Sequence, residues 1–259
     1  MEEQAMPASR FFWYELLTDD PASAAKFYKA VVGWGSENWG DPQDPYIIVK
    51  VGETGVGGIM RMPPEAKAMG TPPCWVGYIH VKDVDAATAK IKAAGGAIHR
   101  EPADIPEIGR FSVVADPQGA TFMLMAPQGP DQEPLPADTP GAVGWRELYT
   151  TDWKAALDFY AGQFGWTADE AMDMGPMGTY QLFTAGAERS GGMMNKPANI
   201  PMPLWQFYFT VERLDAAAER VKANGGQVLM EPMQVPGGSW IAPCLDPEGA
   251  VFSLTARER

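Results

Sequence analysis

Two glutamates stand in the middle of apolar, strand-like segments. Glu15 lies in Phe12-Trp13-Tyr14-Glu15-Leu16-Leu17-Thr18 and Glu147 in Gly144-Trp145-Arg146-Glu147-Leu148-Tyr149-Thr150. A carboxylate so placed costs several kcal/mol unless it is paired, neutralised or put to use. It can orient a ligand amine or hydroxyl, or act as a general base with a raised pKa. It can equally be structural, paired with a basic neighbour such as Arg146 or Arg110 or hydrogen-bonded across the domain interface. The only histidines are His80 and His99, and the only cysteines are Cys74 and Cys244, with no CxxC spacing. His80 could share acid–base work with the glutamates, whereas His99 falls on an edge strand where solvation is the expected role. The two cysteines are expected to be reduced, which points to the cytoplasm.

The glutamate segments belong to a repeat. Ala25-Lys26-Phe27-Tyr28 returns as Leu157-Asp158-Phe159-Tyr160, and Gly33-Trp34 as Gly165-Trp166, at the same offset that separates the glutamates. Further along, at a slightly shorter offset, Gly95-Gly96 returns as Gly225-Gly226 and Glu101-Pro102 as Glu231-Pro232. Asp116-Pro117-Gln118-Gly119 returns likewise as Asp246-Pro247-Glu248-Gly249. Residues 127–141, rich in Pro, Gly and acid, read as a linker between domains at 1–126 and 142–259. Within the first domain a strand over 11–18 leads into Asp20-Pro21, an N-cap followed by proline at the first helical position. Ala24, Phe27, Tyr28, Val31 and Val32 share a helical stripe that Gly33 ends. Strands follow at 46–51 and 56–60, and the plan restarts with a strand at 75–81 and a helix over 84–94 closed by Gly95-Gly96. Strands near 97–101, 110–115 and 120–126 complete it, the last two joined by the Asp116 turn. The unit is βαβββ, twice per domain and four times in the chain.

Composition narrows the function classes. Of 259 residues, 46% are hydrophobic, enough for real cores, and no apolar run has membrane-spanning length. The acidic N-terminal segment does not read as a signal peptide. A formal net charge of −13 repels nucleic acid, whose binding rests on Lys and Arg neutralising phosphates. A small-molecule ligand is therefore the expected partner, with neither nucleic acid nor membrane.

The order and spacing of these motifs resemble the vicinal oxygen chelate superfamily, the group of glyoxalases, bleomycin-resistance proteins and extradiol dioxygenases. The motifs are the strand, the capped Phe-Tyr helix with its closing Gly-Trp, the helix ending in Gly-Gly, and the strand–DPxG–strand. The resemblance spans nearly the whole chain in two copies. It implies an α+β fold of two tandem glyoxalase-like domains, each a pair of βαβββ modules forming cupped mixed sheets. It also implies an intramolecular pseudo-dimer, expected to be a monomer, because single-domain relatives pair to complete their cups.

The family's metal ligands are recognisable from local spacing: seven residues before the capping Asp, nineteen before Gly-Gly, and four after the DPxG glycine. Those positions carry Trp13, Val76 and Met123 in the first copy and Trp145, Gln206 and Ser253 in the second. A further position, near 57–60 and 191–194, offers neither carboxylate nor imidazole. Divalent metals favour imidazole nitrogen and carboxylate oxygen, so no metal site and no cofactor is expected. Alternation lines the cups instead with Trp13, Glu15, Tyr78, His80, Met123 and Met125, and with Trp145, Glu147, Gln206, Tyr208 and Ser253. The tryptophans could stack on a planar ligand or fill the vacated cup as core, and the methionines could form an adaptable wall or simply pack. The reading is a protein that binds a small planar or aromatic molecule in a metal-free apolar cup. The alternative is an enzyme, either a lyase or isomerase or a metal-dependent glyoxalase or dioxygenase type, using Glu15, Glu147 and His80.

Overall fold

Capping residues build the strand–helix corners. In a computed structural model that describes residues 9–41, 44–129, 134–186 and 188–259, Asp20 accepts from the Ser23 amide at 3.0 Å and Pro21 opens the helix. Asp83 accepts from Ala86 at 2.9 Å, and Asp152 from Lys154 and Ala155. Each carboxylate satisfies amides that have no partner inside the helix.

The first module is β1 (Phe11–Thr18), α1 (Pro21–Val31), β2 (Gly35–Asp41), β3 (Asp44–Val51) and β4 (Thr54–Arg61), followed by a short α2 (Pro64–Ala68). The second is β5 (Cys74–His80), α3 (Val84–Ala93), β6 (Ala97–Ile105), β7 (Gly109–Ala115) and β8 (Thr121–Pro127). The third is β9 (Val143–Thr150), α4 (Trp153–Phe164), β10 (Thr167–Asp173), β11 (Thr179–Thr184) and β12 (Arg189–Asn195). The fourth is β13 (Leu204–Thr210), α5 (Leu214–Ala223), the two-residue β14 (Gln227–Val228) and β15 (Met233–Gln234), then β16 (Trp240–Leu245) and β17 (Val251–Ala256).

In every module the first strand runs parallel to the last: β1 with β4, β5 with β8, β9 with β12 and β13 with β17. The strand quartets are ordered β2-β3-β4-β1, β5-β8-β7-β6, β10-β11-β12-β9 and β13-β17-β16-β14, with β15 also on β16. The α+β class and the fourfold plan are as expected. Three details differ. β2 is a full strand although every residue in it is exposed, so an edge strand with solvent on both sides has no alternation to announce it. α2 was not expected. In the fourth module the second strand is reduced to β14 and β15, where Pro232 and Pro236 lack the N–H a ladder needs.

The chain divides into two compact units, and each draws on both sequence copies. One gathers the described residues of Met1–Phe12, Gly77–Gln132 and Arg146–Trp205; the other those of Trp13–Val76, Glu133–Trp145 and Gln206–Arg259. Most of modules two and three thus share a unit, as do most of modules one and four, with the boundaries falling inside the first strand of each module.

Each unit is held together internally by the same device. In the second, Trp75 Nε1 donates to Tyr28 Oη at 2.8 Å, and that hydroxyl donates to Asp246 Oδ2 at 3.1 Å. In the first, Trp205 Nε1 donates to Tyr160 Oη at 2.9 Å, which donates to Asp116 Oδ2 at 3.2 Å. The neighbouring turn residues reach the strand–helix corner of the other copy. Glu248 takes the Asp19 amide at 2.8 Å and the Thr18 hydroxyl, and Gln118 takes the Asp152 amide at 2.6 Å. The DPxG turns are therefore clasps between copies as well as hairpin connections.

Aromatic packing completes each core. Trp166 stacks between Tyr160 at 4.9 Å and Phe183 at 4.7 Å, while Trp34 and Trp75 pack edge-on to Phe209 at 4.8 and 5.0 Å. The end of the 127–141 segment is tied in too, since Trp34 Nε1 donates to Gly141 O at 2.7 Å. The Gly-Gly pairs have a steric reason. Gly95 takes φ +88°, and a Cβ on Gly96 would lie 2.5 Å from the carbonyl oxygen of Ala115.

Candidate functional site

β4 lies between β1 and β3, and Glu15 on β1 pairs with Gly58 on β4, which pairs in turn with Ile48 on β3. Tyr46, two residues before Ile48 and so on the same face, extends its ring over Gly58. A Cβ on Gly58 would come 2.1 Å from Tyr46 Oη and 2.3 Å from its Cζ, so only glycine leaves room. The hydroxyl thereby reaches Glu15 and donates to Oε2 at 3.0 Å. Trp13 Nε1 donates to the same hydroxyl oxygen, also at 3.0 Å. Trp13 lies along Gly55, where a Cβ would be 3.3 Å from the indole.

The second copy repeats this layout. Glu147 on β9 pairs with Gly192 on β12, which pairs with Leu182 on β11. Tyr180, two residues before Leu182, covers Gly192, where a Cβ would meet its Cζ at 2.3 Å. Glu15 and Glu147 are both buried, at 4% and 5% exposure, while Trp13, Trp145, Tyr46 and Tyr180 remain partly exposed. Burial, and after it the charge of Glu15, push the ionisation of Tyr46 well above the usual tyrosine range. Tyr46 is thus a donor throughout the working pH range.

The other expected site residues fall into further clusters. Tyr78 pairs with Met123 and His80 with Met125 across β5 and β8, and the Phe12 ring meets His80 edge-on at 5.8 Å. Tyr208 pairs with Ser253 across β13 and β17, and Gln206 Nε2 donates to Ser253 Oγ. Trp13, Glu15, Trp145, Gln206, Tyr208 and Ser253 belong to the second unit. Tyr78, His80, Met123, Met125 and Glu147 belong to the first.

Arg110, weighed above as a structural partner for a glutamate, is engaged elsewhere: it pairs with Asp85 at 2.6 Å and Asp104 at 2.9 Å. His99 is exposed on β6. Both cysteines are free; burial pushes the Cys74 thiol up to about 11 and that of Cys244 up to about 12, so neither is a ready nucleophile.

The sequence reading passed over Tyr46 and Tyr180. Their signal was present: a tyrosine at the matching place in both copies, each facing a Gly-Gly pair on the next strand, Gly57-Gly58 and Gly191-Gly192.

The metal that the resemblance implies does not fit these residues. Indole, valine and thioether occupy the first copy's three positions, and Gln206 and Ser253 in the second are hydrogen-bonded to each other. Among the described residues no three His, Cys, Asp or Glu side chains are grouped so as to hold a metal ion. No described helix is long and apolar enough to cross a membrane.

Comparison with known proteins agrees with the repeat and the fold. CFP32 of Mycobacterium tuberculosis, whose name assigns it provisionally to the glyoxylases, is 35% identical over 244 residues, covering 93% of this chain and 92% of that protein. The anthracycline biosynthesis protein DnrV of Streptomyces peucetius is 31% identical over 265 residues, covering 93% and 91%. Among solved structures, the Mn(II)-bound glyoxalase from Novosphingobium aromaticivorans aligns with a TM-score of 0.64 at 17% identity, covering 98% of this chain and 83% of that one. The 2,3-dioxygenase LapB from Pseudomonas sp. KL28 aligns at 0.66 with 16% identity, covering 98% and 94%. The family model for the Glyoxalase/Bleomycin resistance protein/Dioxygenase superfamily matches residues 10–124 and 142–254, and the chain belongs to that superfamily.

Proposed function

We propose that this protein binds a small, planar aromatic molecule in apolar cups that work without a metal. The observation that carries this reading is Trp13. It occupies the first position at which the family places a metal ligand, its indole is fixed through Nε1 to Tyr46, and the residue remains partly exposed. An anchored, accessible indole is a stacking platform, and Trp145 holds the matching position in the second copy. Tyr78, Tyr208, Met123, Met125, Gln206 and Ser253 would supply apolar wall and a few orienting polar groups, the usual make-up of small-molecule sites. The name of DnrV, which links that relative to anthracycline biosynthesis, supports a polycyclic aromatic ligand. In this reading the two glyoxalase-like domains, 1–126 and 142–259, act as an intramolecular pseudo-dimer, monomeric in the cytoplasm, with no nucleic-acid partner.

A thermal-shift screen of aromatic metabolites, with and without divalent metals, tests the proposal. Planar aromatics should raise the melting temperature equally in both conditions, and elemental analysis should find far less than one metal per domain. Stabilisation that requires a metal, or stoichiometric Zn, Ni, Fe or Mn, would replace this reading with the enzymatic one. That reading, for which the glyoxylase name of CFP32 speaks, would give Glu15, Glu147 and His80 the acid–base roles.

A further inference from the structure

The relay that ends on Glu15 has a direction fixed by chemistry. An indole N–H can only donate, so in the Trp13–Tyr46 contact the tyrosine oxygen is the acceptor. The tyrosine proton is then left to point at Glu15, the second contact of the same oxygen. Two donors in series therefore converge on one carboxylate, and hydrogen bonds chained in this way polarise one another. An ionised carboxyl group offers about four lone-pair sites, of which the Tyr46 hydroxyl takes one. With its charge already supported by donors, the site does not demand a cation, and it disfavours an anionic ligand edge by like-charge repulsion.

We propose that Tyr46 and Tyr180, each laid across a strand glycine, are positioning residues that hold Glu15 and Glu147 as fixed acceptors for a phenolic hydroxyl of a planar ligand. This rests on the planar-ligand reading above and adds to it the ligand's hydrogen-bonding edge and the residues that select it. The glycines are part of the device. Any side chain at Gly58 or Gly192 would occupy the volume of the tyrosine ring, and at Gly58 it would displace the hydroxyl from Glu15. The placement of a tyrosine across a glycine that pairs with the glutamate recurs in the second copy as Tyr180, Gly192 and Glu147.

The test compares three probes of one shape: a dihydroxyanthraquinone, its dimethyl ether and the corresponding disulfonate, titrated by fluorescence into the intact chain and its variants. The parent should bind the dihydroxy compound at least about tenfold more tightly than the ether, the size expected of a charge-assisted hydrogen bond, with the disulfonate weakest. In Tyr46→Phe combined with Tyr180→Phe, that preference should fall to about threefold or less, over and above any loss of stacking affinity that both probes share. A purely structural defect would weaken both probes alike. Gly58→Ala, checked for folding by its thermal melt, should act in the same direction. Equal binding of the dihydroxy compound and the ether by the parent would overturn the inference while leaving the planar-ligand reading in place. So would a preference unchanged in the double variant. Failure of all three probes to bind would overturn both.

Discussion

The hydroxyl of Tyr28, on the first helix, donates to the carboxylate of Asp246, near the end of the chain, at 3.1 Å. Tyr160 and Asp116 make the mirror-image bond at 3.2 Å. Both tyrosines are fully buried and both aspartates nearly so, and burial raises the aspartate pKa values. Tyr28→Phe strands the Asp246 oxygen and the Trp75 N–H in the core. A loss of about 1–3 kcal/mol is expected, read from urea denaturation.

The same pair sets a pH dependence. An acid whose folded pKa lies above its unfolded value is bound to its proton more tightly in the folded state. Its stabilising contribution is full below the unfolded pKa, near the ordinary 3.8, and is lost as pH rises through the folded pKa. Asp116 and Asp246 should therefore make stability fall as pH climbs from about 4. The Tyr28 bond holds the Asp246 pKa down, so Tyr28→Phe should steepen that fall. A slope in the variant equal to or shallower than that of the parent refutes the assignment.

Fluorescence reports on Trp13 and Trp145. Planar ligands should quench tryptophan emission, and Trp13→Leu or Trp145→Leu should remove part of that quenching. Nine tryptophans contribute to the signal, so the difference between parent and variant is the measurement. Binding that persists with undiminished quenching in both variants places the ligand elsewhere.

Glu15→Gln keeps an oxygen for Tyr46 while removing the charge. A carboxylate held for a ligand is expected to lose affinity on this change with stability unchanged or higher, as at sites where function opposes stability. A structural ion-pair member would instead cost about 3–5 kcal/mol. Thermal melts and titrations of Glu15→Gln and Glu147→Gln separate the two, and matching losses of stability without loss of binding would count against the site.

Because each compact unit combines both copies, residues 1–130 and 138–259 expressed separately should be unable to complete either unit. Each fragment is expected to be less stable than the intact chain or to self-associate, as seen by sedimentation and melting. Two stable, monomeric fragments would show that the clasps between copies are dispensable.

Much of this was legible in the residues. The Asp20-Pro21 cap, its counterpart at Asp152, the Gly-Gly closures and the Asp116 and Asp246 turns are local signals, because short-range hydrogen bonds and backbone conformation dictate them. β2 left no signal because solvent lies on both its faces. Tyr46 was legible only in part. Its meaning depends on the register that sets Glu15 beside Gly58 and Gly58 beside Ile48, and register between strands is a long-range property. Pairing of modules across the copies is further still from local sequence. It rests on contacts such as Tyr28 with Asp246, which nothing near either residue announces.

The division of the chain also orders its folding during synthesis. Apart from a few N-terminal residues, one unit is drawn from the middle of the chain, 77–132 and 146–205, and can close while the ribosome is still at work. The other needs Trp13–Val76 to meet Gln206–Arg259. The first module therefore emerges before its partner and must wait until residues 206–259 are translated, with the apolar residues that α5 and β13 will cover still unsatisfied. Translation rate over the fourth module, and any chaperone that occupies the first one meanwhile, should thus govern the yield of native protein more than events in the second and third modules.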